Sequence, residues 1–178
     1  GKKVKAVIGV DYAGHPCDWK ALRSIADKYE LQLINDNCHA MGASFLSDIQ
    51  YAVKYADVVI QSYHPVKHIT TGEGGAVLTN ISEIDSKVRT LRSHGITKDM
   101  SILEKTDGPW YYEMHELGYN YRITDFQCAL GSNQLKKLDK FDAKRRQIAD
   151  QYDALFKNNK LLTITKSQIN ANHSYHLY

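Results

Sequence analysis

The feature that most constrains this chain is a repeated exchange, in its N-terminal half, between short β-branched runs and helix-patterned stretches. Val4 to Val10 is largely apolar and β-branched, as a buried strand should be. Asp18 stands as an N-cap before a helix in which Trp19, Leu22, Ile25, Ala26 and Tyr29 share a face. Leu31 to Ile34 and Val58 to Gln61 read as the second and third strands, with a short helix within Ser47 to Ala56 between them. This order predicts an α/β fold, a doubly wound and mostly parallel sheet with flanking helices.

Past Gly74-Gly75, Ala76 to Thr79 reads as a fourth strand. Ser82 with Asp85 makes a partial capping box for a helix that reaches about Ser93 and stops at Gly95. Lys98 to Gly118 has little periodicity and carries Gly108-Pro109, so it reads as a long excursion. Thr124 caps a long helix with an apolar stripe through Phe126, Leu130, Leu135, Phe141, Ile148, Tyr152 and Leu155. Gly131 inside that stripe hints at close packing. The chain opens on Gly1 with a strand already at Val4, and His173 to Tyr178 reads as a strand stopped in mid-course. Both ends give the expectation of a piece excised from a longer protein.

A chain of 178 residues can bury about two-thirds of its unfolded surface, enough for one domain. A net charge of +3 gives no argument for a nucleic-acid or membrane partner. There is no signal-peptide pattern and no apolar run near the roughly 18 residues of a membrane span. Cys17, Cys38 and Cys128 are odd in number and irregular in spacing, so the expected compartment is a reducing cytoplasm without a disulfide framework.

Two places carry chemistry. Asp36 lies at the carboxyl end of a predicted parallel strand, where α/β proteins bind ligands. A carboxylate there can hold a proton on a ring nitrogen, accept a ribose hydroxyl, bind Mg²⁺ or cap a turn. The loop Ser62 to Gly75 gathers a hydroxyl, two histidines, Lys67, two threonines and three glycines. Its glycines allow close backbone approach, and Ser62 with the loop amides can bind phosphate oxygens. Composition alone favours a plain Gly-rich turn. His64 and His68 are not a zinc pair, because Pro65 between them breaks any helix. His173 and His176, on the expected terminal strand, point to opposite faces and are weaker still.

Longer words run through the same segments. They are Asp36-Asn37-Cys38-His39-Ala40-Met41-Gly42, and Ser62-Tyr63-His64-Pro65-Val66-Lys67 followed by Thr70-Thr71-Gly72-Glu73-Gly74-Gly75. Arg92 to Ile96, then Gly118 to Arg122 leading into Asp125 to Gly131, complete the series. In this order they resemble the sugar aminotransferases of the DegT family, fold-type I enzymes that use pyridoxal 5'-phosphate (PLP). The resemblance implies part of a three-layer α/β/α large domain. Residues 1–123 would be the central part of the PLP-binding domain, 124–160 a long helix towards a small domain, and 161–178 the start of that truncated domain.

By the same resemblance, Lys67 is the catalytic lysine that forms a Schiff base with PLP, and Asp36 pairs with the pyridinium nitrogen. His39 lies near the phenolic oxygen and Ser62 binds the phosphate. Asn120 reaches the phosphate of a neighbouring subunit's cofactor, with Arg122 helping at that interface, so a homodimer with shared sites is implied. The implied reaction moves an amino group from an amino acid, typically glutamate, to a nucleotide-linked keto-sugar. The spelling around Lys67 is similar to 4-aminotransferases acting on UDP-4-keto-6-deoxy sugars in pseudaminic acid synthesis. The excised piece itself is expected to bind PLP weakly and to be inactive. The competing readings are a PLP-dependent sugar dehydratase, a non-catalytic relative, and a nucleotide-binding α/β module without covalent chemistry. Against the last, the first strand is followed by only a single glycine, Gly14.

Overall fold

In the computed structural model, which describes residues 3–178, the expected alternation forms. The elements in chain order are β1 (Ala6–Val10), α1 (Trp19–Lys28), β2 (Gln32–Asp36), β3 (Ser44–Phe45), α2 (Tyr51–Tyr55), β4 (Val58–Ser62), β5 (Gly75–Leu78), α3 (Ser82–Leu91), β6 (Ile96–Thr97), β7 (Glu113–Met114), α4 (Asp125–Leu135), α5 (Leu138–Phe156) and β8 (Ala171–Asn172). They group into two units, residues 3–79 with 125–178, and Asn80–Thr124. No helix among the described residues is long and apolar enough to cross a membrane.

In the larger unit the main sheet runs β1-β2-β4-β5. The first two pairings are parallel, aligning Val7 with Leu33 and Ile34 with Val58. The last is antiparallel and closes on Ser62 opposite Gly75, so β4 and β5 form the two sides of a hairpin. Strand alternation places Leu33, Asn35 and Val59 on the buried face. Trp19 and Ala26 of α1, with Tyr51, Ala52 and Ala56 in and just after α2, complete that core. Asp18 caps α1 by accepting the Ala21 amide at 3.0 Å. Its inward stripe is narrower than its sequence pattern, since Ile25 and Tyr29 stay exposed. Each fully buried Leu or Val contributes about 1.5–3 kcal/mol.

Beneath this apolar layer lies a polar one. Asp11 is fully buried. Its Oδ1 accepts from the Cys17 amide at 2.8 Å and from the Trp19 indole at 2.9 Å. Its Oδ2 accepts from Asn35 Nδ2 at 3.2 Å, Asn37 Nδ2 at 2.8 Å and the Tyr51 hydroxyl at 2.7 Å. Gln61 extends the network by donating to Asn37 Oδ1 at 2.5 Å. Burial, followed by the charge of Asp11, pushes the Cys17 thiol up to about 11 and raises the Tyr51 phenol.

Several sequence expectations are corrected. The stretch expected as one long helix is two, because the Lys137 amide bonds to Gln134 O at 2.9 Å in a tighter turn and α5 starts afresh at Leu138. Phe126, Leu135 and Leu155 of the expected stripe remain exposed. What α5 buries instead is Asp142 and Ala149. Arg146 donates to His173 O at 3.2 Å and to Gly42 O at 3.0 Å, and Arg145 donates to Tyr175 O at 3.1 Å. The His173–Tyr178 segment is not a strand. Its extended neighbour, β8, pairs antiparallel with β3.

In the smaller unit α3 begins with Ile81 at the N-cap position, so Ser82 opens the helix and does not cap it. Arg89 and Asp85 pair one turn apart at 2.9 Å. The excursion after Lys98 is partly structured, since β7 returns to pair with β6. There the Glu113 carboxylate accepts from the amides of Glu104 and Lys105, and His115 lies 2.7 Å from it.

The Asp11 network generates a prediction. Asp11→Ala leaves five donors without their acceptor, and the expected loss is about 3–5 kcal/mol, read as a lower urea midpoint. A loss below about 1 kcal/mol would show that the network is dispensable.

Candidate active site

Asp36 is the last residue of β2 and is half-buried, with its carboxylate accepting the Cys38 amide at 3.2 Å. Its neighbours are held from both sides. The Asp11 amide donates to Asp36 O, and the Asn37 amide to Ile60 O, each at 3.0 Å. One strand over, Ser62 ends β4, with its hydroxyl accepting the His64 amide at 3.4 Å.

From Ser62 the chain makes a loop stitched to itself and returns as β5. The Tyr63 amide bonds to Gly74 O at 2.8 Å and the Thr71 amide to Tyr63 O at 3.0 Å. Thr70 bonds to the same carbonyl, and its hydroxyl accepts the Gly72 amide at 2.9 Å. Gly72 has φ +81°, a conformation that favours glycine. Helix α4 braces the loop from outside. Gln127 donates to Glu73 O at 2.9 Å, and a Cβ on Gly131 would sit 2.8 Å from the Thr71 methyl, the close packing its sequence position hinted at. Inside the loop Lys67 is half-buried, with its amide bonded to His64 O. Its ammonium has no hydrogen bond or ion pair among the described residues.

Lys67 and Asp36 share a neighbourhood, because the charge of each acts on both Cys38 and His39. The Cys38 thiol is pushed up to about 12, by burial first and then by Asp36, while Lys67 pulls it down. His39 is lowered by burial and then by Lys67, against Asp36. The His39 ring lies 5.6 Å from that of Tyr12 and 4.2 Å from that of His176. An amine, a carboxylate and an imidazole thus share a neighbourhood at the carboxyl ends of two parallel strands, and the Ser62 hydroxyl stands at the end of the second. Asn120 belongs to the smaller unit, where it bridges Ser93 and its Oδ1 accepts from Arg122 Nε at 3.2 Å. Its amide nitrogen has no partner among the described residues.

Sequence reasoning gave no role to Asp11 or Asn37 and set His68 and His176 aside. The two asparagines left a faint signal, flanking Asp36 with the period of a strand. His68 is buried behind Lys67 and is 5.7 Å, ring to ring, from His176. Nothing in the sequence ties His176 to His39.

One buried imidazole, two half-buried ones and one carboxyl shape the response of this unit to acid. His68, His173 and His176 are each lowered by burial from 6.5 to about 4. Between those values the unfolded chain holds protons that the fold refuses, so acidification favours unfolding. Asp142, raised by burial from 3.8 to about 6, works in the opposite sense over the same window. With these three imidazoles and His39, itself lowered by burial, against one carboxyl, the urea midpoint should fall from pH 6.5 to 4.5. It should fall more steeply in Asp142→Asn, which lacks the opposing group. A midpoint that holds or rises towards acid would contradict this assignment.

Comparison with known proteins follows the same outline. The chain is 42% identical over 177 residues to the UDP-4-amino-4,6-dideoxy-N-acetyl-beta-L-altrosamine transaminase of Campylobacter jejuni, covering 99% of this chain and 44% of that protein. Helicobacter pylori PseC, an aminotransferase of pseudoaminic acid biosynthesis, superposes with a TM-score of 0.82 at 35% identity, over 98% of this chain and 44% of PseC. A sugar aminotransferase of Streptococcus pneumoniae in its PMP form gives a TM-score of 0.85 at 27% identity, over 98% of this chain and 48% of that one. The chain thus spans less than half the length of these relatives. Residues 1–178 match the profile of one family along their whole length, and the chain belongs to the DegT/DnrJ/EryC1/StrS aminotransferase family.

Proposed function

We propose that the full-length protein is a PLP-dependent aminotransferase that moves an amino group from an amino acid, glutamate by expectation, to a nucleotide-linked keto-sugar. A UDP-4-keto-6-deoxy-HexNAc on a route to nonulosonic acids or surface glycans fits best, by similarity to the Campylobacter and Helicobacter proteins. The observation that carries the reading is placement: Asp36 ends β2, the loop that holds Lys67 leaves the end of the neighbouring β4, and the charges of both act on Cys38 and His39. A small heterocycle held by an amine and a carboxylate calls for those two groups at adjacent strand ends. The unpartnered Lys67 ammonium and the hydroxyl of Ser62 at a strand end fit that group.

PLP, when bound, supplies an electron sink for the bond at the amino-bearing carbon. The rest is work for this chain. Lys67 Nζ would hold the cofactor through its carbonyl carbon, with water leaving as that bond forms, and as a free amine would carry a proton at the substrate carbon. The Asp36 carboxylate would keep a ring nitrogen protonated, as an anion beside a cationic acid does. Ser62 would bind the phosphate, and Asn120 of a second copy would reach the same phosphate, which would make the working form a homodimer. His39 would lie towards the phenolic oxygen. Three unpaired cysteines suit a cytoplasmic enzyme.

The test uses full-length protein, glutamate and a panel of UDP- and dTDP-keto-sugars, read by product mass. Lys67→Ala should lower turnover by about 10²–10⁴-fold or more, with an unchanged circular dichroism spectrum. Undiminished transfer in that variant would refute the assignment.

A further inference from the structure

The His39 imidazole is held in one protonation form by the backbone. The Ala13 amide points at His39 Nδ1 at 3.3 Å, and an amide can only donate. Nδ1 must therefore accept, and the neutral ring carries its proton on Nε2. A second ring fixes the plane. His176 lies against His39 with centroids 4.2 Å apart and planes 30° from parallel.

The backbone that delivers His176 is unusual. Tyr175, just before it, adopts φ +50°, which a side chain with a Cβ rarely takes up and which clusters at functional positions. Tyr175 is locked there by a stack on His173 at 4.1 Å and by Arg145 on its carbonyl. Ser174, fully buried, bonds through its amide to Gly14 O at 3.0 Å and through its hydroxyl to Gly14 O and His39 O, each at 3.3 Å. Leu177, on the other side, bonds to Ala13 O. A Cβ on Gly14 would come within 2.6 Å of Ser174 Oγ and 3.0 Å of the His176 amide, so the segment lies as close as backbone allows. His68 completes the frame. Its Nε2 donates to Ser174 O at 3.1 Å, since a carbonyl only accepts. The same segment that positions His176 thus also bonds the residue next to Lys67.

We propose that His176 is a positioning residue, whose ring face fixes the plane of His39 so that Nδ1 meets the Ala13 amide and the imidazole stays the neutral Nε2–H tautomer beside Lys67. This rests on the reading of Lys67 and His39 as parts of one site. The charged and titratable groups that bear on His176 are His39, Lys67, His68 and Arg145. None is acidic, so among the described residues no anion draws a proton onto the ring. It meets His39 as a flat apolar face, and the property required of residue 176 is flatness, with no demand for basicity.

The test has one arm without cofactor and one with it. In the full-length protein without added PLP, ¹⁵N-edited ring spectra, assigned with His39→Gln, should show His39 as a single Nε2–H form at pH 7.5. His176→Phe should preserve that signature and His176→Leu should give a tautomer mixture. With PLP and substrates, His176→Leu should lower kcat on the order of tenfold, as slight misplacement does, and His176→Phe should restore it. A wild-type Nδ1–H form, or an unaltered His39 in His176→Leu, overturns the proposal. Should the leucine variant not fold, His176→Gln takes its place with the same expectation. Failure of the Lys67 reading shows separately, as turnover retained in Lys67→Ala.

Discussion

A fully buried carboxylate, with no cation paired to it among the described residues, governs this architecture. Taking Asp11 out of water costs several kcal/mol, and that is offset only if its donors arrive together. They come from the turn after β1, from α1, from both sides of the β2 terminus and from α2. Apolar packing alone tolerates small slips between helix and sheet. Five directional bonds to one group do not, so the layers are registered on a charge.

The same network explains why the candidate site faces the way it does. Asn35 and Asn37 turn inward to Asp11, and the pleat therefore turns Asp36 to the other side. Gln61 turns inward to Asn37, and Ser62 after it turns away in the same manner. The candidate site residues are, in this sense, the complement of a buried polar pattern. Their directions follow from bonds made by their neighbours.

Much of this was legible in the sequence where the signal is local. Val4 to Val10, the Asp18 cap and the strand ending in Asp36 announce themselves by periodicity and by a side chain that bonds three residues ahead. The loop around Lys67 is legible because glycine and threonine chemistry acts within a few residues. The break at Lys136-Lys137 was not, since neither residue is a helix breaker and both are exposed. The apolar stripe of α4 and α5 misled because α5 docks through arginines that reach backbone carbonyls, which no hydropathy pattern records. Asp11 looks like any turn aspartate until the fold surrounds it, and His176 acquires meaning only from a ring in a distant part of the chain.

That distance carries a kinetic meaning. The bonds from Ser174 to Gly14 and from His68 to Ser174 join residues 160 and 106 positions apart. Closing such wide loops is entropically slow compared with forming the local hairpin around Lys67. On a ribosome, the strand ends and the lysine loop emerge and can order well before the segment that stacks on His39 has been synthesised. The candidate site is therefore among the last parts to close, and an immature chain passes through a stage with the Lys67 loop in place and the His39 ring still unconstrained.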